Sequence, residues 1–96
     1  MRRCYLVCYD IRDPKRLRRV HRVVRGYGEA WQFSVFFCVL KDIDRVRLER
    51  DLTEEMNLHL DQALILDLGP NEMAARERIR ALGQPMPEPE SDIAVI

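Results

Sequence analysis

The segment Cys4-Tyr5-Leu6-Val7-Cys8-Tyr9 constrains the fold more than any other part of the chain. Six successive apolar side chains, some aromatic or β-branched and none alternating with polar ones, describe a strand covered on both faces. Such a strand belongs in the middle of a sheet, and it stops at Asp10. Just beyond, Asp13-Pro14 pairs an N-cap side chain with a proline at the first helical position, where its missing N–H goes unnoticed. The chain therefore runs from a central strand almost directly into a helix. On that helix Leu17, Val20, Val24 and Tyr27 recur at spacings of three and four, while Lys15, Arg18, Arg19, Arg22 and Arg25 line the other side. Gly26 and Gly28 flank its end.

Trp31 to Leu40 is a second β-prone region. With no Gly or Pro inside it, the residues leave open whether it is one strand or two meeting near Phe33-Ser34. Asp42 or Asp44 can cap a second helix carrying Val46, Leu48, Leu52 and Met56 and ending near Asn57. Ala63 to Leu68 reads as a further strand, stopped by Gly69-Pro70. Asn71 then caps a short third helix reaching Leu82, with Ala75, Ile79 and Leu82 on one side and Gly83 at its end. The order predicts an α+β fold: a ferredoxin-like βαββαβ sandwich over residues 1–83, its antiparallel sheet carrying helices on one face. Residues 84–96 read as a proline-rich linker followed by a tail strand, Asp92 to Ile96, which only a sheet edge of its own chain or of a neighbour can pair. Cys4, Leu6 and Cys8 point one way from the first strand and Tyr5, Val7 and Tyr9 the other, so the face without helices needs cover. A homodimer with its two-fold axis close to the sheet would supply it.

A length of 96 residues allows one domain, and 47% apolar with 33% charged residues is a globular mixture. No apolar run approaches the roughly 18 residues of a membrane span, and the opening Met1-Arg2-Arg3 leads into a stretch too short for a signal peptide. The expected compartment is the cytoplasm. Cys4, Cys8 and Cys38 are odd in number and lack CxxC spacing; four apart on a strand, Cys4 and Cys8 would lie ~13 Å apart, too far to bridge. They read as small buried hydrophobes. The formal net charge of zero conceals a division. Residues 1–28 hold nine basic residues against Asp10 and Asp13, a surplus of seven positive charges that the remainder cancels. Most of that surplus lies between Lys15 and Arg25, and a field of such density attracts polyanions whatever the total. The alternative is a solvated helix face neutralised by the acidic helix that follows.

Among residues able to do chemistry, Asp10 stands out by position. A carboxylate ending an apolar strand just before an arginine-rich helix can hold a hard cation such as Mg²⁺, with water and substrate phosphate completing the shell. One carboxylate per chain is few, and a two-fold axis would add a second. Asp10 can equally cap the following turn or pair with Arg12, Arg16 or Arg19. Other classes find less support. Ser34 lies in a strand region without a nucleophile elbow, and His21 and His59 are isolated, with no HExxH. Gly26-Tyr27-Gly28 follows a helix and lacks a third glycine, so it is no dinucleotide loop. Trp31, Phe33, Phe36 and Phe37 can stack on bases or fill a core.

Taken together, Tyr9-Asp10-Ile11, Asp13, Arg16 and Arg19, Tyr27-Gly28 and Gln32-Phe33-Ser34-Val35-Phe36 resemble the small CRISPR-associated endonuclease family of the spacer-acquisition machinery, the ferredoxin-like partner of the CRISPR integrase. The similarity covers residues 4–69. It implies a homodimer in which Asp10 of each subunit faces its mate and binds Mg²⁺ as the catalytic carboxylate. It also implies a tail that adds a strand or docks the integrase subunit and places Arg16 and Arg19 about the site, while the basic helix itself predicts nucleic-acid contacts from Arg16, Arg18, Arg19, Arg22 and Arg25. Tyr9, Ser34 and Phe36 would support the site. Family members act on single-stranded RNA or double-stranded DNA, or serve as non-catalytic DNA-binding adaptors, and a related family of small toxins shares the fold and the early aspartate. One departure is Phe37, where relatives often carry an acidic residue.

Overall fold

The structure is a computed structural model that describes residues 1–87. Its elements run β1 (Arg2–Asp10), α1 (Pro14–Arg25), β2 (Glu29–Gln32), β3 (Val35–Lys41), α2 (Asp42–Glu55), β4 (Gln62–Gly69) and α3 (Glu72–Glu77). The strands form one antiparallel sheet in the order β2-β3-β1-β4, the ferredoxin-like arrangement expected from the residues. The apolar run of β1 lies between β3 and β4, with Leu6 opposite Phe37 on one side and Leu66 on the other.

Strand alternation sends Tyr5, Val7 and Tyr9 of β1 to the same side as Phe36, Cys38 and Leu40 of β3. There they meet Val20 and Val24 of α1 and Leu48 and Leu52 of α2. Each large side chain buried in this layer contributes about 1.5–3 kcal/mol relative to exposure, enough to fix the register. On the opposite face Cys4 and Phe37 pack with Ala75 of α3, flanked by Trp31 and Leu68. The helices are therefore not all on one face: α1 and α2 share one side, and α3 covers a corner of the other. The rest of that second face is apolar: among the described residues Leu64 is 51% and Leu66 44% exposed, while the half-buried Leu6 and Cys8 share a groove with the chain after α3.

The Trp31–Leu40 region is two strands, β2 and β3, turning at Phe33-Ser34. No glycine makes this turn; Tyr9 holds it from β1, its N–H donating to the Ser34 carbonyl (3.1 Å). Helix α2 starts from Lys41, not from an aspartate cap. Asp42 and Asp44 sit inside its first turn, where they face the positive end of the helix dipole. Of its expected apolar positions Leu48 and Leu52 are buried, Met56 is half-buried and Val46 is exposed. Helix α3 starts after Asn71 as expected, the side chain accepting from the Ala74 N–H (2.9 Å), but ends at Glu77 and leaves Leu82 exposed. Gly28 is required where the chain enters β2. A Cβ there would come within 2.4 Å of both the Phe37 carbonyl oxygen and Cys38 Sγ. All three cysteines are free thiols, and burial pushes Cys38 up to about 12. Among the described residues no helix is long and apolar enough to cross a membrane. The expected tail strand lies outside the described residues.

Candidate functional site

The candidate site is built where β1 ends. Alternation turns Tyr9 into the core and leaves Asp10 in solvent. The Asp10 carboxylate has one ion-pair partner among the described residues, Arg12, at 3.5 Å, with both side chains about two-thirds exposed (66% and 68%). A pair so open and long contributes little. Neither Arg16 nor Arg19 is paired with it.

The residues on either side are held tightly. Beyond Asp10 the chain is caught by Asp61, whose side chain is fully buried. Its carboxylate accepts from the Arg12 N–H (2.9 Å), Arg16 Nε (2.8 Å), Arg16 Nη2 (3.1 Å) and the Asn57 N–H (2.9 Å). The Arg16 guanidinium, followed by the two backbone donors, holds this carboxyl well below the usual carboxylate range. Asp61 thus pins the β1–α1 turn and α1 to the loop before β4. Nothing in its spacing separates it from the other acids of the second half, and only the three-dimensional contact with Arg16 marks it.

On the near side, Tyr9 lies over Phe36 with ring centroids 6.2 Å apart. Its hydroxyl donates to the Phe33 carbonyl (3.2 Å) and lies 2.9 Å from His21 Nδ1. Since a carbonyl only accepts, both bonds form together when His21 Nδ1–H donates to the tyrosine oxygen. Burial pushes Tyr9 up to about 12, so it stays protonated. Phe36 is fully buried and meets the His21 ring edge-on (5.3 Å, 70°). Ser34 contributes its backbone carbonyl. Phe33, by contrast, is 68% exposed and stacks on His21 (5.4 Å, 20°).

The five arginines separate into two groups. Arg16 is tied to Asp61, and Arg19 Nε donates to Glu55 (3.0 Å). Arg18, Arg22 and Arg25 make no ion pair with any described residue and line one open groove with Leu17, His21 and Phe33. Their spacing of four and three places them on one face of α1.

Among the described residues no three His, Cys, Asp or Glu side chains converge as a metal cage. Mg²⁺ does not need one: it binds through one or two carboxylates and keeps several waters. The solvent-facing Asp10 could supply one such carboxylate. Phe37, the departure noted from the family pattern, takes no part in this site. It is buried on the opposite face, stacked on Trp31 (4.6 Å, 5°) beneath the Arg76 guanidinium.

An exposed strand-end carboxylate, a following helix with three arginines that pair with no described residue, and a single β2-β3-β1-β4 sheet define a small ferredoxin-like protein of basic α1 type. The sequence model of the family described as CRISPR associated protein Cas2 matches residues 2–76. The chain belongs to that family, as the motif residues around Asp10 and Ser34 imply. It is 39% identical over 75 residues to the CRISPR-associated endoribonuclease Cas2 2 of Thermodesulfovibrio yellowstonii, covering 78% of this chain and 82% of that protein. It is 38% identical over 84 residues to the CRISPR-associated endoribonuclease Cas2 of Geobacter sulfurreducens, covering 88% and 87%. Among solved structures, Streptococcus pyogenes Cas2 superposes with a TM-score of 0.72 at 32% identity, covering 83% of this chain and 99% of that one. A hypothetical protein from Thermus thermophilus superposes with a TM-score of 0.78 at 30% identity, covering 94% and 100%.

Proposed function

We propose that this chain is a Mg²⁺-dependent endonuclease of the CRISPR spacer-acquisition machinery, hydrolysing phosphodiester bonds in single-stranded RNA or double-stranded DNA. The observation that carries the reading is the Asp10 carboxylate, left in solvent between two firmly held residues with only a long contact to Arg12 among the described residues, just before the helix whose Arg18, Arg22 and Arg25 pair with no described residue. The relatives' name, endoribonuclease, favours RNA as substrate. Asp10 of each protomer would hold the ion, whose chemistry is Lewis-acid polarisation of a phosphoryl oxygen and activation of water. Arg18, Arg22 and Arg25 bind the phosphates of the strand. The role of Arg16 and Arg19 is positional: through Asp61 and Glu55 they fix α1 against the rest of the fold. Tyr9, with Ser34 and Phe36, holds the β2–β3 turn beside the site.

The same reading takes the protein to be a homodimer in the cytoplasm, where free thiols persist. The apolar surface of the second sheet face, with Leu64 and Leu66 exposed among the described residues, supports a self-complementary contact. Family membership supports the integrase subunit as a further partner. A second reading, a non-catalytic DNA-binding adaptor of that integrase, is favoured by one specific feature of the chain: Phe37, buried against Trp31, occupies the position where the resemblance leads one to expect an acidic residue.

Asp10→Asn separates the two, because it removes an anionic ligand while keeping shape. Labelled single-stranded RNA and double-stranded DNA are incubated with wild type and variant, in Mg²⁺ or in EDTA. Cleavage by wild type that is lost in the variant and in EDTA is expected. No cleavage by wild type, with salt-sensitive DNA binding retained, favours the adaptor; equal cleavage by both proteins refutes the role of Asp10.

A further inference from the structure

Phe33 is not explained by the fold. A large apolar ring at a hairpin tip, 68% exposed, occupies a position where turn-forming polar residues ordinarily serve. Yet it is not loose. Its carbonyl accepts from the Tyr9 hydroxyl, the next carbonyl accepts from the Tyr9 N–H, and its ring lies within 20° of parallel to His21. His21 is itself fixed, by Tyr9 at Nδ1 and by Phe36 at its edge. One face of the Phe33 ring is therefore supported from beneath and the ring stays open to solvent, at the mouth of the groove carrying Arg18, Arg22 and Arg25.

We propose that Phe33 is a stacking platform for one unpaired nucleobase of a single-stranded nucleic acid, with the flanking phosphates held by Arg18, Arg22 and Arg25. This rests on the nucleic-acid reading above and adds which part of the strand is recognised, and by which residue. The argument is one of complementarity. A flat apolar surface that is pre-oriented and rimmed by cations matches a ligand with a flat π-face joined to anions on either side. The arginines spread over about 10 Å along the helix axis, suiting successive phosphates better than a single anion. A duplex presents its phosphates equally well, but its bases are already stacked on each other and offer no free face. Phe33 therefore discriminates between single and double strands, while the arginines serve both. Because every base has a π-face, the preference extends to all sequences.

The test measures binding in EDTA, so that cleavage and Asp10 do not enter. Fluorescence anisotropy compares a labelled oligouridine of about a dozen nucleotides, long enough to cross one such site, with a duplex of similar length. Phe33→Ala should weaken single-strand binding about 5- to 150-fold, the range for loss of one base–aromatic stack, and duplex binding by less than about twofold. Phe33→Trp should restore it, and a 2-aminopurine base in the oligonucleotide should be quenched by wild type and Phe33→Trp but not by Phe33→Ala. Thermal melts verify that each variant folds, as expected for an exposed side chain. Equal losses on both substrates, or Phe33→Leu binding like wild type, would overturn the proposal, the latter because it leaves only a greasy contact such as a peptide could make. If wild type binds neither substrate, the nucleic-acid reading fails with it; if both bind and Phe33→Ala behaves as wild type, only the stacking site fails.

Discussion

Nucleic-acid binding by this protein should feel three arginines of α1, not five. Arg16 is cancelled by the buried Asp61 and Arg19 by Glu55, whereas Arg18, Arg22 and Arg25 pair with no described residue. Each phosphate neutralised on binding releases condensed counterions, so log K falls against log salt with a slope of about −0.9 per contact on duplex DNA and about −0.7 on a single strand. Three contacts give slopes of about −2.7 and −2.1, and raising salt from about 50 to 200 mM weakens binding by roughly 40-fold and 20-fold. Five contacts would give about −4.5 on duplex and a loss of roughly 500-fold. A dimer laying both helices on one duplex doubles either slope, so the contributors are best identified by substitution. The triple variant Arg18→Gln, Arg22→Gln, Arg25→Gln should lose most of the slope. The charge-neutral double variant Arg19→Gln with Glu55→Gln should keep it, since it removes a pair that was already cancelled. Anisotropy titrations at four or five salt concentrations give each slope directly. An unchanged slope in the triple variant, or a drop of about one unit per helix in the double variant, would refute the division of the arginines.

The remaining expectations concern the scaffold. Gly28→Ala places a Cβ within 2.4 Å of the Phe37 carbonyl oxygen, a backbone atom inside β3, so the sheet must shift. A loss of about 1–3 kcal/mol is expected, lowering Tm by roughly 4–8 °C per kcal/mol, and a melt superimposable on wild type would contradict the close approach. Stability should also fall at both pH extremes. Burial raises Tyr9 and Tyr27 from 10.0 to about 12, Tyr27 being further hydrogen-bonded to Asp51, so their contribution is complete below the unfolded value and is lost as pH rises from 10 toward 12. Their tyrosinate absorbance, isolated by difference from the Tyr9→Phe and Tyr27→Phe variants, should appear together with loss of far-UV circular dichroism; ionisation at the ordinary tyrosine value in a folded chain would refute it. Asp61 works with the opposite sign. Its contribution is present above its ordinary value of 3.8 and lost as pH falls below it, so Asp61→Asn should flatten the acid limb of a stability–pH profile.

What the residues disclosed in advance was mostly local. The apolar run of β1, the Asp13 cap whose side chain accepts from the Arg16 N–H (2.9 Å), the spacing on α1 and the Asn71 cap each need only their neighbours. The misses have the opposite character. The Phe33-Ser34 turn is made by Tyr9, distant in sequence, so no turn residue announces it. Helix α3 stops at Glu77 although Ile79 and Leu82 continue the spacing; within it Ala75 alone is buried, against Cys4 and Phe37. Asp42 and Asp44 look like caps and act on the helix dipole instead. Which arginines are free depends on Asp61 and Glu55, 45 and 36 residues from their partners.

The case for Asp10 therefore rests less on where it stands in the chain than on what surrounds it. Carboxylates with structural work are readily recognised here: Asp13 caps α1, Asp61 gathers donors from two loops and a helix, and Asp67 accepts from Arg3 and from the Gly69 N–H. Each is held below the ordinary carboxylate value by the groups it binds. Asp10 lies between Tyr9, whose main chain and side chain are both bonded, and Ile11, which is buried, followed by Arg12, whose N–H is fixed to Asp61. Its backbone is consequently as well placed as any in the fold. Its side chain alone is left out of the network, with only a long, solvent-exposed contact to Arg12. A capping or pairing role would have drawn that carboxylate into the same kind of bonds its neighbours make. Firm placement of the backbone with a carboxylate bonded to no other described residue is consistent with the proposed cation role, in which the ion and its waters would orient the side chain.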